Sequence, residues 1–274
     1  MHKGTRASEK DMELRILDLS FSYDSVNALQ KLSLCVKEGE ILGVIGPNGS
    51  GKTTLIKCIN RKLKAKIGAV LVDDKNISQM THKEIAKNIG VVPQISSITF
   101  PFTVFDIVMM GRYSHIGRLS TENINDEFIV NRCLELTGIK HLTDRLITEI
   151  SGGEYQKVII ARALAQEPKI LLLDEPILHL DINHQIEILD LVKNLTREKK
   201  LTVVMVLHDL NLAARYNDKT VLLKRGKIYA SGKPENVIGI ENIREVYGIE
   251  IEIGRSSKGN FLNVIPVSII NKES

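Results

Sequence analysis

The sequence predicts an α/β fold in which a mixed sheet is flanked by helices, with an antiparallel β subdomain near the N-terminus and an α-helical subdomain inserted into the core. Three observations predict it. Early alternating segments read as half-buried strands, later continuous apolar runs separated by helical segments read as buried parallel strands, and residues 95–166 keep helical spacing without a buried strand run.

Taken in order, Leu17, Leu19, Phe21 and Tyr23 alternate with Asp18, Ser20 and Ser22, and Leu32, Leu34 and Val36 alternate with Ser33 and Cys35. Each set is expected to line one face of a strand. From Glu40 the pattern becomes Ile41-Leu42-Gly43-Val44-Ile45, later Ile170-Leu171-Leu172-Leu173 and Val203-Val204-Met205-Val206-Leu207. Strands of this kind need cover on both faces. Thr81 with Glu84 reads as a capping box for a helix that Gly90 follows, Gly138 closes another helix, and Asp181 caps an amphipathic one running through Ile186, Leu189 and Val192. Pro234 opens a short helix, and the alternation over 250–253 and the apolar stretch Phe261 to Ile265 give two tail strands.

Composition narrows the class. Of 274 residues, 43% are hydrophobic and 26% charged, as in folded globular proteins and unlike disordered or low-complexity chains. Aromatics are only 4% with no tryptophan, so the core must be aliphatic. The longest strictly apolar run, Val203 to Leu207, falls far short of the roughly 18 residues of a membrane span. Met1 to Arg15 is charged and does not resemble a secretory signal, so a cytosolic location is expected. Cys35, Cys58 and Cys133 are too few and too far apart for a disulfide framework or a paired zinc site, and 37 basic against 33 acidic residues leave a net charge of +4, too small to imply nucleic-acid binding. The cluster Lys57, Arg61, Lys62, Lys64 and Lys66 reads as a solvated helix end whose cations complement the dipole.

The chemistry concentrates in three places. Gly46-Pro47-Asn48-Gly49-Ser50-Gly51-Lys52-Thr53 matches G-x-x-x-x-G-K-[ST] between a strand ending at Ile45 and a helix starting near Thr54. Its glycines let backbone N–H groups converge on phosphate at a helix N-terminus, Lys52 reaches the outer phosphates, and the Thr53 hydroxyl suits Mg²⁺. A merely connecting glycine turn would not need these flanks. Asp174 and Glu175 end a buried strand and point to opposite faces, so Asp174 suits the Mg²⁺ shell and Glu175 suits a general base or water-positioning group. His208 ends another buried strand, at the carboxyl edge where α/β sheets bind ligands, and Asp209 reads as the cap of the next helix.

Ile150-Ser151-Gly152-Gly153-Glu154, upstream of Asp174, resembles the LSGGQ signature of ATP-binding cassette (ABC) ATPases, with Ile150 for Leu and Glu154 for Gln. Other residues fall where that family places its remaining motifs. Tyr23 looks like the aromatic that stacks on adenine, Gln94 in Val92-Pro93-Gln94 like the Q-loop glutamine and a further magnesium ligand, Asp181 like the D-loop aspartate, and His208 like the switch histidine. The resemblance extends from about Leu14 to Lys233. It implies a P-loop NTPase core and ATP with Mg²⁺ held by Gly46 to Thr54, Tyr23, Gln94 and Asp174. It also implies Glu175, His208 and Lys52 as the catalytic set. Ser151, Gly152, Gly153 and Asp181 would meet the ATP of a second copy in a head-to-tail sandwich.

Val108 to His115, His208 to Tyr216 and Glu245 to Gly248 are similar to cassettes of importers for iron(III) chelates, haem, cobalamin and, in some branches, molybdate, with Ser114 where relatives often carry proline. The resemblance therefore implies one cassette over 12–274 that powers an importer, most simply of an iron(III) chelate, with cobalamin or molybdate/tungstate as alternatives. Residues 95–166 would form its helical subdomain, 233–274 a short α/β tail, and 1–11 a flexible start. Its expected partners are a second copy, an integral membrane permease and, indirectly, a solute-binding protein, at the cytoplasmic face of the membrane; nucleic acid is not expected. A soluble cassette of DNA repair or translation, an exporter cassette and a P-loop kinase are the rival readings. A kinase would not need Ser151-Gly152-Gly153 or the histidine.

Overall fold

Side chains alternate across a strand, so the pattern of burial shows which strands are covered on both sides. The structure, a computed structural model, describes residues 12–94, 98, 100–115, 124–257 and 261–270; residues 1–11, expected to be flexible, lie outside them. In chain order it builds β1 (Met12–Tyr23), β2 (Val26–Lys37), β3 (Ile41–Ile45), α1 (Lys52–Ile59), β4 (Ile67–Val72), β5 (Lys75–Asn76), α2 (His82–Asn88) and β6 (Ile89–Val92). Helices α3 (Val104–Met109), α4 (Ile124–Leu136) and α5 (Gly152–Leu164) follow, then β7 (Ile170–Asp174), α6 (Ile182–Lys199), β8 (Thr202–Val206), α7 (Leu210–Tyr216), β9 (Lys219–Lys224) and β10 (Lys227–Gly232). The tail adds α8 (Pro234–Val237), α9 (Ile240–Tyr247), β11 (Ile249–Arg255) and β12 (Leu262–Ile269).

The central sheet has the order β10-β9-β3-β8-β7-β6, parallel from β9 through β6 and antiparallel only at the β9/β10 edge. Its two faces sort the strand residues cleanly. Ile41, Ile45, Leu171, Leu173, Val203 and Met205 join the core beneath α3 to α9, whereas Leu42, Val44, Ile170, Leu172, Val204 and Val206 face the core shared with α1, α2 and the antiparallel sheet β2-β1-β4-β5. Both faces are dry, which is why these strands are apolar at every position. The buried core is almost wholly aliphatic, with Phe21 and Tyr216 its only buried aromatic rings among the described residues.

Two expectations need correction. Leu17 is 47% exposed while Leu14, Ile16, Leu19 and Phe21 are buried. Asp18 adopts φ 47° and the pairing with β2 shifts register there, a bulge that reverses the in/out parity of β1 midway. Gly90 does not stop a helix in open solvent. It lies inside β6, the last parallel strand, where a Cβ would come within 3.0 Å of the Ala163 carbonyl oxygen.

Between β6 and β7 the described residues form helices, with one isolated bridge joining Thr103 to Leu146. Arg112 ties this region together. It is 3% exposed, and its guanidinium donates to Asp126 at 2.9 Å, to the Ala165 carbonyl at 2.6 Å and to Glu167 at 2.9 Å.

Candidate functional site

The order of the strands brings distant motifs to one edge. Running across β3, β8, β7 and β6, the carboxyl ends carry in turn the Gly46–Thr53 loop, His208, the Asp174-Glu175 pair and Gln94. Ligands of open α/β sheets bind at such an edge.

The loop leaves β3 through Gly46, Gly49 and Gly51, all at positive φ. At Gly46 a side chain is excluded outright, because a Cβ would lie 2.4 Å from the Leu223 carbonyl oxygen. The backbone can therefore curl tightly into the start of α1, leaving Asn48 and Gly49 exposed and Ser50 and Lys52 buried. Lys52 folds back onto its own loop, donating to the carbonyls of Gly46 at 2.8 Å and Pro47 at 3.1 Å. Burial lowers its pKa from the usual lysine value, partly offset by Glu175 and Asp174. An arriving phosphate would replace these carbonyls as the partner of the ammonium.

Thr53 follows on the first turn of α1, and its hydroxyl donates to Asp174 Oδ1 at 3.2 Å, with Thr54 behind it at the edge of the core. Burial raises the Asp174 pKa, opposed by the Thr53 hydrogen bond and by Lys57 and Lys52. Two hard oxygen donors beside a phosphate cradle fit magnesium, which binds through one or two side chains plus substrate phosphates and water. Glu175, one residue on, has φ 55°. Gln94 Nε2 donates to Glu175 Oε2 at 2.7 Å and His208 Nε2 to Oε1 at 2.5 Å, so both carboxylate oxygens are engaged. Asp209 caps α7 by accepting the Leu212 N–H at 2.9 Å, which fixes where His208 leaves β8.

The remaining predicted residues form a second group. Ser151 caps α5 in a capping box with Glu154, Gly152 and Gly153 supply its first turn, and Asp181 caps α6 by accepting the His184 N–H at 3.0 Å. His184 joins these two helix starts. Its ring pairs with Asp181 at 2.8 Å and packs against Gly153, where a Cβ would come within 2.2 Å of it. His184 was not singled out in the sequence, although its position one helical turn after Asp181 could have marked it. Among the described residues no hydrogen bond links Ser151, Gly152, Gly153 or Asp181 to the loop at 46–54. Tyr23 stands apart as well, at the end of β1, 44% exposed and edge-on to Phe21 with ring centroids 4.9 Å apart.

Comparison with known proteins identifies the family. The model of the family described as ABC transporter matches residues 29–178. The chain is 44% identical over 88% of its length to an uncharacterized ABC transporter ATP-binding protein of Methanocaldococcus jannaschii, covering 94% of that protein. It is 40% identical over 85% of its length to the petrobactin import ATP-binding protein of Bacillus anthracis, covering 86% of it. Among solved structures, an inward-facing ABC transporter described as of metal-chelate type superposes with a TM-score of 0.83 at 30% identity, over 94% of this chain and 98% of that one.

Proposed function

The chain belongs to the ATP-binding cassette family of ABC transporters, and on that premise we propose that it hydrolyses ATP to power a membrane importer of iron(III) chelates of the siderophore or haem type. The observation that carries the enzymatic part is Glu175, held between Gln94 and His208 one residue beyond Asp174, on the sheet edge that also presents Lys52 and Thr53. The petrobactin relative and the metal-chelate transporter support the choice of solute class.

The chain's own groups define the reaction. Backbone N–H groups of Gly46 to Thr54 and the Lys52 ammonium hold the triphosphate, and Tyr23 stacks on adenine. Thr53, Gln94 and Asp174 provide the oxygen donors for magnesium, whose charge when bound offsets that of the phosphates. Glu175 accepts a proton from a water whose oxygen bonds to the γ-phosphorus, the bond from that phosphorus to the β–γ bridging oxygen breaks, and ADP and phosphate leave. His208 and Gln94 orient the water. Each Glu175 oxygen accepts only one of their hydrogen bonds, which leaves a lone pair on each free to take the proton of the water.

Among the described residues no hydrogen bond joins the cradle to the Ser151/Asp181 group, which supports a site completed by a second copy arranged head to tail. A groove of about 690 Å³ between α1, α2 and the end of α5, lined by Arg61, His82, Ile85, Met110, Arg162 and Gln166, supports docking of the permease there. It adjoins β6, which leads to Gln94, so residues 95–166 and Gln94 would relay the nucleotide state to the permease. Among the described residues no helix is long and apolar enough to cross a membrane, in keeping with a permease that supplies the spans.

Replacing Glu175 by Gln keeps the shape of the side chain and removes the charge that accepts the proton. With Mg²⁺ and ATP the E175Q protein should elute as a stable dimer and release phosphate at least about a hundredfold more slowly than the wild type. A monomer with undiminished turnover would refute the assignment.

A further inference from the structure

The tail after Gly232 touches the site at two points that none of the sequence motifs foretells. One is on α7. Asn211, three residues after His208, treats β12 as a neighbouring strand would: its Oδ1 accepts the Val264 N–H at 2.7 Å and its Nδ2 donates to the Val264 carbonyl at 3.2 Å. Val264 is buried in the main core, so few alternatives exist for its peptide groups. One turn further on, the Arg215 guanidinium lies 5.4 Å from the Phe261 ring at the start of β12 and 5.0 Å from Tyr216. The other point is on the phosphate loop. Tyr247 ends α9, and its buried hydroxyl faces the Gly46 backbone N–H without completing a hydrogen bond. Across the adjoining cavity, Tyr247 and Ile270 stand opposite Pro47, Asn48, Gly49 and Ser50. Glu245 pairs with Lys224 at the end of β9, fixing α9 to the central sheet.

Strands β11 and β12 pair along their length, from Ile249 with Ile269 to Arg255 with Leu262. The hairpin thus has one end facing the cradle across that cavity and one side hydrogen-bonded to α7, which starts two residues after His208. We propose that it acts as a strap which fixes His208 relative to the phosphate loop, and that Asn211 is a positioning residue for the hydrolysis proposed above, on which this inference rests. Without the two bonds to Val264, α7 keeps its Asp209 cap but is free to shift against β12. His208 would then meet Glu175 and the γ-phosphate in a range of positions.

The test is steady-state ATP hydrolysis by four full-length proteins: wild type, N211A, H208A and the double variant. The N211A protein should lose about ten- to hundredfold in kcat, the usual cost of misplacing a catalytic group by about 1 Å, with its KM for ATP within about twofold. In the H208A background the same substitution should cost nothing more, because two residues acting through one contact are not additive. A wild-type kcat in N211A, or losses that multiply in the double variant, would overturn the strap. If N211A does not fold, N211Q decides the question, since it keeps both the acceptor for the Val264 N–H and the donor for its carbonyl on a longer arm and should show a smaller loss with the same non-additivity. A wild type that releases no phosphate, or an H208A variant as active as wild type, removes the reading of the site and the strap with it.

Discussion

Each oxygen of the Glu175 carboxylate is engaged, one by Gln94 and one by His208, while the Lys52 ammonium is turned onto its own loop. Gln94, Glu175 and His208 are thus paired with one another, whereas Lys52 pairs with the Gly46 and Pro47 carbonyls. Asp174 gives this a pH dependence. Burial raises its pKa above the ordinary aspartate value, so as pH falls it takes up its proton earlier than an exposed aspartate does. The protonated form is the poorer magnesium donor. Magnesium-dependent nucleotide affinity should accordingly be full near neutrality and decline on the acid side, beginning above the usual aspartate range near 3.9. In an Asp174→Asn variant the affinity should be low and flat over that interval. Titration with a fluorescent nucleotide analogue between pH 4 and 8 reads both curves, and an acid limb that persists in the variant assigns it to another group.

At the scale of elements, what the sequence made legible was what neighbouring residues decide. The Thr81/Glu84 capping box, the Asp181 and Asp209 caps and the Pro234 helix start all follow from groups within three or four positions, and all form. The P-loop, Asp174, Glu175 and His208 were legible because each follows a short apolar run that could only be a buried strand. What was not legible depends on distant partners. The bulge at Asp18 arises in the pairing of β1 with β2 and β4, β6 is a strand because it adds to the edge of β7, and the Asn211 contact needs β12, far along the chain. Arg112 is the clearest case. In the sequence it belongs to a segment that could be a plain helix end, whereas in the fold it is a buried cation joining α4 to the end of α5 through Asp126 and Ala165. Replacing it by methionine fills similar volume but strips Asp126, itself 4% exposed, of its guanidinium. Removing one partner of a buried pair costs about 3–5 kcal/mol, so urea unfolding of R112M should give an unfolding free energy lower by that amount. A loss below about 1 kcal/mol would mean that the site relaxes or hydrates.

For the whole molecule, the fold places the predicted residues, Tyr23 aside, in two groups that no hydrogen bond joins among the described residues. The strand order gathers the Gly46–Thr53 loop, His208, Asp174, Glu175 and Gln94 at one edge. Ser151, Gly153, Asp181 and His184 form a separate cluster at the starts of α5 and α6. Apart from His184, the members of each group were legible in the motifs, but which of them meet was not, because that is set by the strand order and by where α5 and α6 start. The proposal that a second copy completes the site rests on this division. Phosphate release from ATP by the purified wild-type chain, measured with Mg²⁺ over a wide range of chain concentration, tests this most directly. The rate per chain should rise with concentration and level off as the two-copy species fills. A rate per chain that stays constant down to dilute monomer, or no phosphate release at any concentration, would contradict it.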